Sequence, residues 1–190
     1  MIEKIVESKN YSNEDFSDNR MLGHKYEDCS FKHCNFTDAH LSGKTFMDCR
    51  FEDCDFSLAK IKDTAFKSVQ FVQCKLVGLK FADCNDFLIS FNFEHCNLNY
   101  ATFRELKIPK TIFVQCDLQQ SDFSDTNLQN SVFEKCDLNH TIFDGTVLEQ
   151  VDFSSAFNYT IDPANNKLSK ARFSSTGLKG LLHNYDIIIE

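Results

Sequence analysis

The sequence contains no tryptophan, only 2 prolines and only 6 glycines in 190 residues. It has no apolar run near the roughly 18 residues that a transmembrane helix needs, and its charged start lacks the apolar segment of a secretory signal. Basic residues are in deficit, because 20 Lys and Arg stand against 28 Asp and Glu, for a net charge of −8. These absences predict a single cytoplasmic domain that neither enters a membrane nor binds nucleic acid directly through a basic face.

Motifs that carry chemistry are missing as well. No glycine-rich phosphate loop is present, and none of the 6 histidines has a partner at the spacing of a known catalytic motif. No CxxC pair occurs among the 9 cysteines, which argues against a zinc site. The sequence therefore predicts a protein that is not an enzyme, with no catalytic residues, no metal site and no cofactor.

What the sequence does contain is a period of five residues, clearest over residues 111–153. Phe or Leu stands at the centre of every block of five from Phe113 to Phe153, and a small residue lies two positions before each centre. This period matches neither the 3.6-residue turn of a helix nor the two-residue alternation of an ordinary strand. It indicates a solenoid, in which each unit buries its apolar side only by stacking on its neighbours.

The period extends over most of the chain. Centres recur every five residues from Phe16 to Phe81, and the frame resumes at Leu88 after two additional residues near 84–87. Residues 14–155 are therefore predicted to form the repeat region. Residues 1–13 show no phase and are predicted to form an N-terminal cap that protects the open edge of the first coil.

Residues 156–190 do not follow the period. They are predicted to form an irregular connection, then a helix capped by Ser174 or Ser175, then a short closing strand. The helix would carry an apolar face that either caps the last coil or joins two copies of the chain as a homodimer. That face consists of Leu178, Leu181, Leu182 and Tyr185.

Blocks such as CNFTD, CDFSL, CNLNY, SDFSD and TNLQN resemble the repeats of the pentapeptide-repeat proteins. The resemblance implies an all-β solenoid, a right-handed quadrilateral β-helix in which four blocks make one coil. It also implies that the central residue and the residue two before it point inward. The repeat region is long enough for about seven such coils.

Four blocks per coil would stack residues 20 apart, or 22 apart across the two additional residues. One face, called the Phe face here, then carries an inward ladder of phenylalanines: Phe31, Phe51, Phe71, Phe93, Phe113, Phe133 and Phe153. The next face, called the Cys face, has six thiols at its small inward positions: Cys34, Cys54, Cys74, Cys96, Cys116 and Cys136. Stacked side chains point the same way, so we expect buried free thiols in a reducing compartment instead of disulfides.

The Cys face is also the most acidic face, with seven carboxylates against one lysine. Within the family, the chain is similar to the Qnr-type quinolone-resistance proteins, which are acidic dimeric rods thought to mimic duplex DNA. That resemblance implies a non-enzymatic protein that binds and modulates DNA gyrase or topoisomerase IV. The alternative, a scaffold for some other protein partner, stays open. The residues predicted to form the acidic interaction face are Asp15, Asp18, Asp38, Asp55, Asp117 and Asp137.

Overall fold

The computed structural model describes residues 4–17, 21–185 and 187–188. Within these residues, thirteen short strands are wound into a β-solenoid of about eight coils, which confirms the predicted fold class. The strands are β1 (Ile5–Glu7), β2 (Asn10–Ser12), β3 (Lys25–Glu27), β4 (Ser30–Lys32), β5 (Thr45–Met47), β6 (Arg50–Glu52), β7 (Ala65–Lys67), β8 (Val69–Val72), β9 (Phe91–Glu94), β10 (Ile112–Val114), β11 (Val132–Glu134), β12 (Asp152–Phe153) and β13 (Arg172–Phe173). Two 3₁₀-helices, Phe81–Asp83 and Ser175–Leu181, interrupt and close the solenoid.

The strands pair in parallel and form two sheets. The Phe face is a nine-stranded sheet in the order β13-β12-β11-β10-β9-β8-β6-β4-β2. The fourth face, which precedes the Phe face in each coil, is a four-stranded sheet in the order β1-β3-β5-β7. On the Cys face and on the third face, which follows it, neighbouring coils are joined by single parallel bridges. Strands stay this short because the chain turns a corner at the end of each block.

Side chains at equivalent positions of successive coils stack on one another, as four blocks per coil require. Phe31 pairs with Phe51, and Phe71 pairs with Phe93 across the two additional residues. Along the Phe face the successive rings are nearly parallel, with centroids 4.7–5.4 Å apart. Each buried ring contributes roughly 1.5–3 kcal/mol to stability, so this column forms much of the core.

The small residue two positions before each centre is buried beside the core. All nine cysteines are buried free thiols, and the Cys54 Sγ, for example, donates a hydrogen bond to the Phe31 carbonyl oxygen at 3.4 Å. Threonine does the same on the fourth face, where the Thr146 Oγ1 donates to the Phe123 carbonyl oxygen at 2.9 Å. Small residues are therefore required by space, and their thiols or hydroxyls find acceptors in backbone carbonyls of the coil before.

At most corners of the coil, the residue two positions after the centre of its block has positive φ. Twenty-five non-glycine residues in the described part of the chain take this left-handed conformation, including Leu58 (φ 61°) and Tyr100 (φ 62°). Gly43 and Gly78 stand at equivalent corners, with φ of 71° and 66°. Left-handed backbone is disfavoured for side chains with a Cβ, so stacking of neighbouring coils must offset repeated local strain.

The predicted N-terminal cap at residues 1–13 needs correction. Strands β1 and β2 pair with β3 and β4, which places Val6 opposite Tyr26 and Tyr11 opposite Phe31. Residues 5–12 therefore belong to a first coil of the solenoid. Its centres are Val and Tyr instead of Phe or Leu, and too few blocks precede Phe16 for the period to show in the sequence.

At the other end the stacking continues beyond residue 155. Phe157 bridges to Asp137, Lys167 bridges to Val147, and β13 pairs with β12. Ser174 caps the closing helix, as one of the two predicted residues, and its Oγ accepts a hydrogen bond from the Gly177 N–H at 3.1 Å. The helix is of the 3₁₀ type. The predicted closing strand lies partly outside the described residues, and Ile187 and Ile188 are not in a strand.

The frame expected at Leu88 is wrong, because Leu88 is 67% exposed and stands at a left-handed corner with φ 59°. Ordinary pairing persists to Asn85, whose N–H donates to the Thr64 carbonyl oxygen, and resumes where Phe91 lies opposite Val69. The additional residues thus lie within 86–90, where Ile89 points inward instead. This loop exposes Phe87 beside Leu88 and ends the four-stranded sheet at β7.

The corner geometry yields a stability prediction at Gly43. No atom lies within 4 Å of the Cβ that a substitution would add, so only the positive φ discriminates among side chains. Gly43→Asn should change the free energy of unfolding little, whereas Gly43→Val should lower it by about 1–2 kcal/mol. Urea denaturation of both variants measures the difference. The same pair of substitutions at Ser42 is the control, and an equal loss for Val at both positions would contradict the explanation.

Candidate interaction surfaces

The Cys face carries an unbroken outward ladder along the whole rod. Parallel bridges join its members in the order Asp15, Asn35, Asp55, Lys75, Asn97, Asp117, Asp137 and Phe157. The structure therefore brings Asp15, Asp55, Asp117 and Asp137 into one column. Asp38 lies outside that column at a corner, with φ 54°, and Asp18 lies outside the described residues.

The carboxylates of this ladder also shape the coil. In each such block the side-chain oxygen of Asp or Asn accepts a hydrogen bond from the backbone N–H two residues later. The Asp55 Oδ1 accepts from Ser57 at 2.8 Å, and the Asp137 Oδ1 accepts from Asn139 at 3.1 Å. Asn97 does the same for the Asn99 N–H at 3.1 Å. Asp and Asn are thus equivalent for the turn, and the choice between them sets the charge of the face.

Side-chain amides in adjacent coils further hold the two C-terminal carboxylates. The Asp117 Oδ2 accepts from the Asn99 Nδ2 at 2.9 Å, and the Asp137 Oδ2 accepts from the Gln119 Nε2 at 3.0 Å. The Asn158 Nδ2 donates to the Asp137 Oδ1 at 2.9 Å. None of these donors is charged, so the carboxylates keep their negative charge while their position is fixed.

Lysines partly neutralise the N-terminal half of the same surface. Lys75 lies 3.2 Å from Asp55, and Lys60 lies 3.0 Å from Asp38. Burial raises the pKa of Asp55, but hydrogen bonds from Ser57 and Lys75 outweigh that effect and bring the pKa below its usual value. The hydrogen bond from Lys60 lowers the pKa of Asp38. These carboxyls are therefore ionised at neutral pH, although exposed ion pairs of this kind add little stability.

The C-terminal helix lies close against the last coil because of two glycines. A 3₁₀-helix has three residues per turn, which places Ser174, Gly177 and Gly180 on the side facing Tyr159. A Cβ on Gly177 would lie 1.9 Å from the Tyr159 hydroxyl, and one on Gly180 would lie 2.1 Å from the Tyr159 carbonyl oxygen. The Ile161 N–H donates to the Gly180 carbonyl oxygen at 3.0 Å. The helix therefore covers the end of the core.

The four residues predicted for a dimer interface differ in exposure and do not share one exposed face. Leu181 is half-buried and packs against the hydrophobic core. Leu178, Leu182 and Tyr185 are exposed, and Ile187 adds to the same exposed apolar segment. The 3₁₀-helix ends at Leu181, so Leu182 and Tyr185 lie beyond it, and the four residues do not form the common helical face that a period of 3.6 predicts.

Within the described residues, no group of three or more His, Cys, Asp or Glu side chains is placed to hold a metal ion. No helix in that part of the chain is long and apolar enough to span a membrane. Two surface features that the sequence did not indicate are the exposed loop at Phe87 and Leu88 and a cleft on the third face. The shift of the five-residue period gives the approximate position of the loop, whereas no pattern in the sequence indicates the cleft.

A five-residue repeat wound into a four-sided parallel solenoid defines a class of repeat protein. The sequence profile of the pentapeptide repeat region matches residues 24–103 and 87–173. These ranges include well over half of the chain, which therefore belongs to the pentapeptide-repeat family. No curated protein matches the chain in sequence.

Among solved structures, the chain is similar to two trypsin-treated forms of QnrB1, a plasmid-mediated fluoroquinolone resistance protein. The first is 17% identical over 98% of this chain and 100% of that chain, with a TM-score of 0.63. The second is 17% identical over 98% and 99%, with a TM-score of 0.58. HetL, a pentapeptide-repeat protein from the cyanobacterium Nostoc, is 12% identical over 90% and 87%, with a TM-score of 0.44. At these identities the likeness concerns the fold alone.

The dual role of the ladder carboxylates gives a prediction at Asp137. Asp137→Ala would leave the Asn139 N–H and the amides of Gln119 and Asn158 without their acceptor, and should lower the free energy of unfolding by about 1–3 kcal/mol. Asp137→Asn keeps one acceptor oxygen for the turn and should cost clearly less. Thermal and urea unfolding of both variants compare the two losses. Equal losses would mean that the negative charge of Asp137, and not its acceptor oxygen, stabilises the fold.

Proposed function

We propose that this protein binds a type II topoisomerase, DNA gyrase or topoisomerase IV, in the groove that otherwise receives duplex DNA. The observation that carries the proposal is the outward column on the Cys face, in which Asp15, Asp55, Asp117 and Asp137 are held in register over most of the rod. A rod with fixed negative charge can enter a basic groove and displace the counterions or phosphates that occupy it. The fold that this chain shares with QnrB1, a fluoroquinolone resistance protein, also supports the proposal.

The density of charge limits how tightly such a rod would bind. Asp15 and Asp137 are six bridges apart in the column, about 29 Å at a strand spacing of about 4.8 Å. Duplex DNA of that length carries about 17 phosphates, several times more charge than the column. Shape and corner carboxylates such as Asp38 and Asp53 must therefore contribute alongside the ladder. The protein would modulate the enzyme reversibly, without catalysing a reaction itself.

The same proposal includes a homodimer joined at the C-terminal segment. Leu178, Leu182, Tyr185 and Ile187 together expose an apolar surface next to the closing helix, which a second copy related by a two-fold axis could cover. Such a dimer would double the length of the charged rod. The topoisomerase proposal also requires the chain to be in the cytoplasm, where its target is found and where the nine buried thiols stay reduced.

A scaffold for a different protein partner is the second candidate. The exposed Phe87 and Leu88 in the inserted loop favour it, because adjacent exposed apolar side chains commonly mark protein contacts. The Lys67 Nζ lies 5.2 Å from the centre of the Phe87 ring, which holds this loop against the fourth face. A partner of this kind would dock through apolar contact and depend little on salt.

Replacement of the acidic residues tests the topoisomerase proposal. A variant with Asn in place of Asp38, Asp55, Asp117 and Asp137 loses four charges but keeps a side-chain oxygen at every turn and an Asn at the left-handed corner. It should fold normally and lose most of the wild-type effect on gyrase supercoiling, with or without a quinolone. The wild-type effect should also weaken as salt rises, because exposed charges are screened within about 8 Å at physiological ionic strength.

The control carries Gln in place of Lys67, Lys107 and Lys110, which lie on or beside the fourth face, and should match the wild type. If purified wild-type protein neither binds nor alters gyrase or topoisomerase IV at micromolar concentration, the topoisomerase proposal fails. The scaffold candidate would then take its place, and Phe87→Ser with Leu88→Ser would be the variant to follow in capture experiments.

Light scattering tests the dimer. The wild type should have the mass of two chains, and a variant with Glu in place of Leu178 and Leu182 should have the mass of one, because burying two carboxylates in an apolar contact is strongly unfavourable. Leu58→Glu, at an exposed corner far from the C-terminal segment, should remain a dimer. A single-chain mass for the wild type would leave the segment as a cap of the last coil only.

A further inference from the structure

The third face breaks its ladder at one place. Parallel bridges join His40 to Lys60, and a second series begins at Lys80 with its bridge to Thr102, but no bridge joins Lys60 to Lys80. Elsewhere on this face, neighbouring coils donate to each other in both directions. The Thr102 N–H donates to the Leu79 carbonyl oxygen of the coil before at 3.1 Å, and the Leu41 N–H donates to the Lys60 carbonyl oxygen of the coil after at 2.9 Å. At the break, the corresponding N–H groups of Ile61 and Lys80 have no acceptor among the described residues.

A local change of register causes this break. The 3₁₀-helix Phe81–Asp83 replaces the flat side that the other coils form here. In the coil before, the Gly43 N–H donates to the Lys62 carbonyl oxygen, which is the pattern of the regular coils. By this pattern the Asp63 N–H would donate to the carbonyl oxygen of Ala82. It donates instead to the carbonyl oxygen of Asp83, one residue further along the chain. The shift moves the two coils out of hydrogen-bonding alignment.

The break opens a cleft of about 400 Å³ between the two coils. Aliphatic side chains, among them Leu58 and Val77, form part of its wall. Its size and its mixed lining are those of a small-molecule site, although it is open on one side. The regular coils of the Cys face, where every bridge is present, have no such interruption in the described residues.

Lysines surround the cleft in an otherwise acidic protein. Lys60, Lys62 and Lys80 line it, and Asp83 is the only acidic residue among the lining residues. Lys60 is paired with Asp38 at 3.0 Å, but Lys62 and Lys80 make no ion pair within the described part of the chain. Two lysines without an acidic partner therefore stand beside two backbone N–H groups without an acceptor.

We propose that this cleft binds a small ligand through an oxyanion, either a phosphate monoester or a carboxylate. The N–H groups of Ile61 and Lys80 and the ammonium groups of Lys62 and Lys80 together supply the donors that such groups need. Lysine presents a point charge, not a planar fork, so the site selects charge more than the shape of the anion. The volume exceeds that of one phosphate, and the organic part of the ligand lies against Leu58 and Val77. This site is independent of the acidic Cys face and of a topoisomerase partner.

Titration followed by ¹⁵N nuclear magnetic resonance tests the site, with inorganic phosphate, glycerol phosphate and acetate as probes at constant ionic strength. The backbone signals of Ile61 and Lys80 should shift in a saturable manner, with glycerol phosphate bound more tightly than inorganic phosphate. A variant with Gln in place of Lys62 and Lys80 should bind at least about tenfold more weakly, since two charge-assisted contacts are lost. A phosphoserine peptide distinguishes the ligand's source, because an advantage over glycerol phosphate would indicate a phosphorylated protein.

The matched control carries Gln in place of Lys107 and Lys110 on the fourth face, which removes the same charge from the rod and should leave the affinity unchanged. Both variants are first compared with the wild type by thermal unfolding, so that loss of binding is not loss of fold. Shifts that do not saturate, or that weaken equally in the two variants, would overturn the proposal and indicate general attraction to lysines.

Discussion

Stacking of side chains in successive coils is the interaction on which the whole structure depends. No block of five residues can bury its Phe or Leu alone, and each becomes buried only when another block lies about one strand spacing above it. Phe113 is covered by Phe93 on one side and by Phe133 on the other, with ring centroids 5.2 Å and 4.7 Å away. The same stacking aligns the hydrogen bonds between coils and holds the corners in their disfavoured left-handed conformation.

Most of this fold could be predicted from the sequence, because inward positions tolerate few residue types. The period, the four-sided coil and the pairing of Phe71 with Phe93 across the loop all follow from the placement of Phe, Leu and Cys. Exceptions occur where an inward position is filled atypically, as by Val6 in the first coil, or where the frame shifts, as at Ile89. The repeat pattern predicts an inward Leu88, because the centre of a block is usually Leu or Phe. The pattern does not show which two residues of this segment are the additional ones, and the structure has Ile89 inward instead.

The surfaces could be predicted less well, since outward positions carry charge without revealing its contacts. Acidic residues on the Cys face could be assigned to one side of the rod, but not their hydrogen bonds to turn N–H groups and neighbouring amides. Gly177 and Gly180, which look like weak points of a helix, turn out to be the residues that let it approach Tyr159. The cleft beside Lys62 and Lys80 depends on a one-residue slip of backbone pairing, and no local pattern of residues encodes such a slip.

The interrupted ladders have a consequence for cooperativity. In a linear array, each coil is coupled to the next only through their shared interface, and an unfolding boundary settles where that coupling is weakest. Between the coil containing Lys60 and the coil containing Lys80 the third face lacks its bridge, and the fourth-face sheet ends close by at β7. Only the Phe and Cys faces connect the two halves without interruption there. We therefore expect the rod to unfold as two segments joined at this interface, with strain in one half transmitted only weakly to the other.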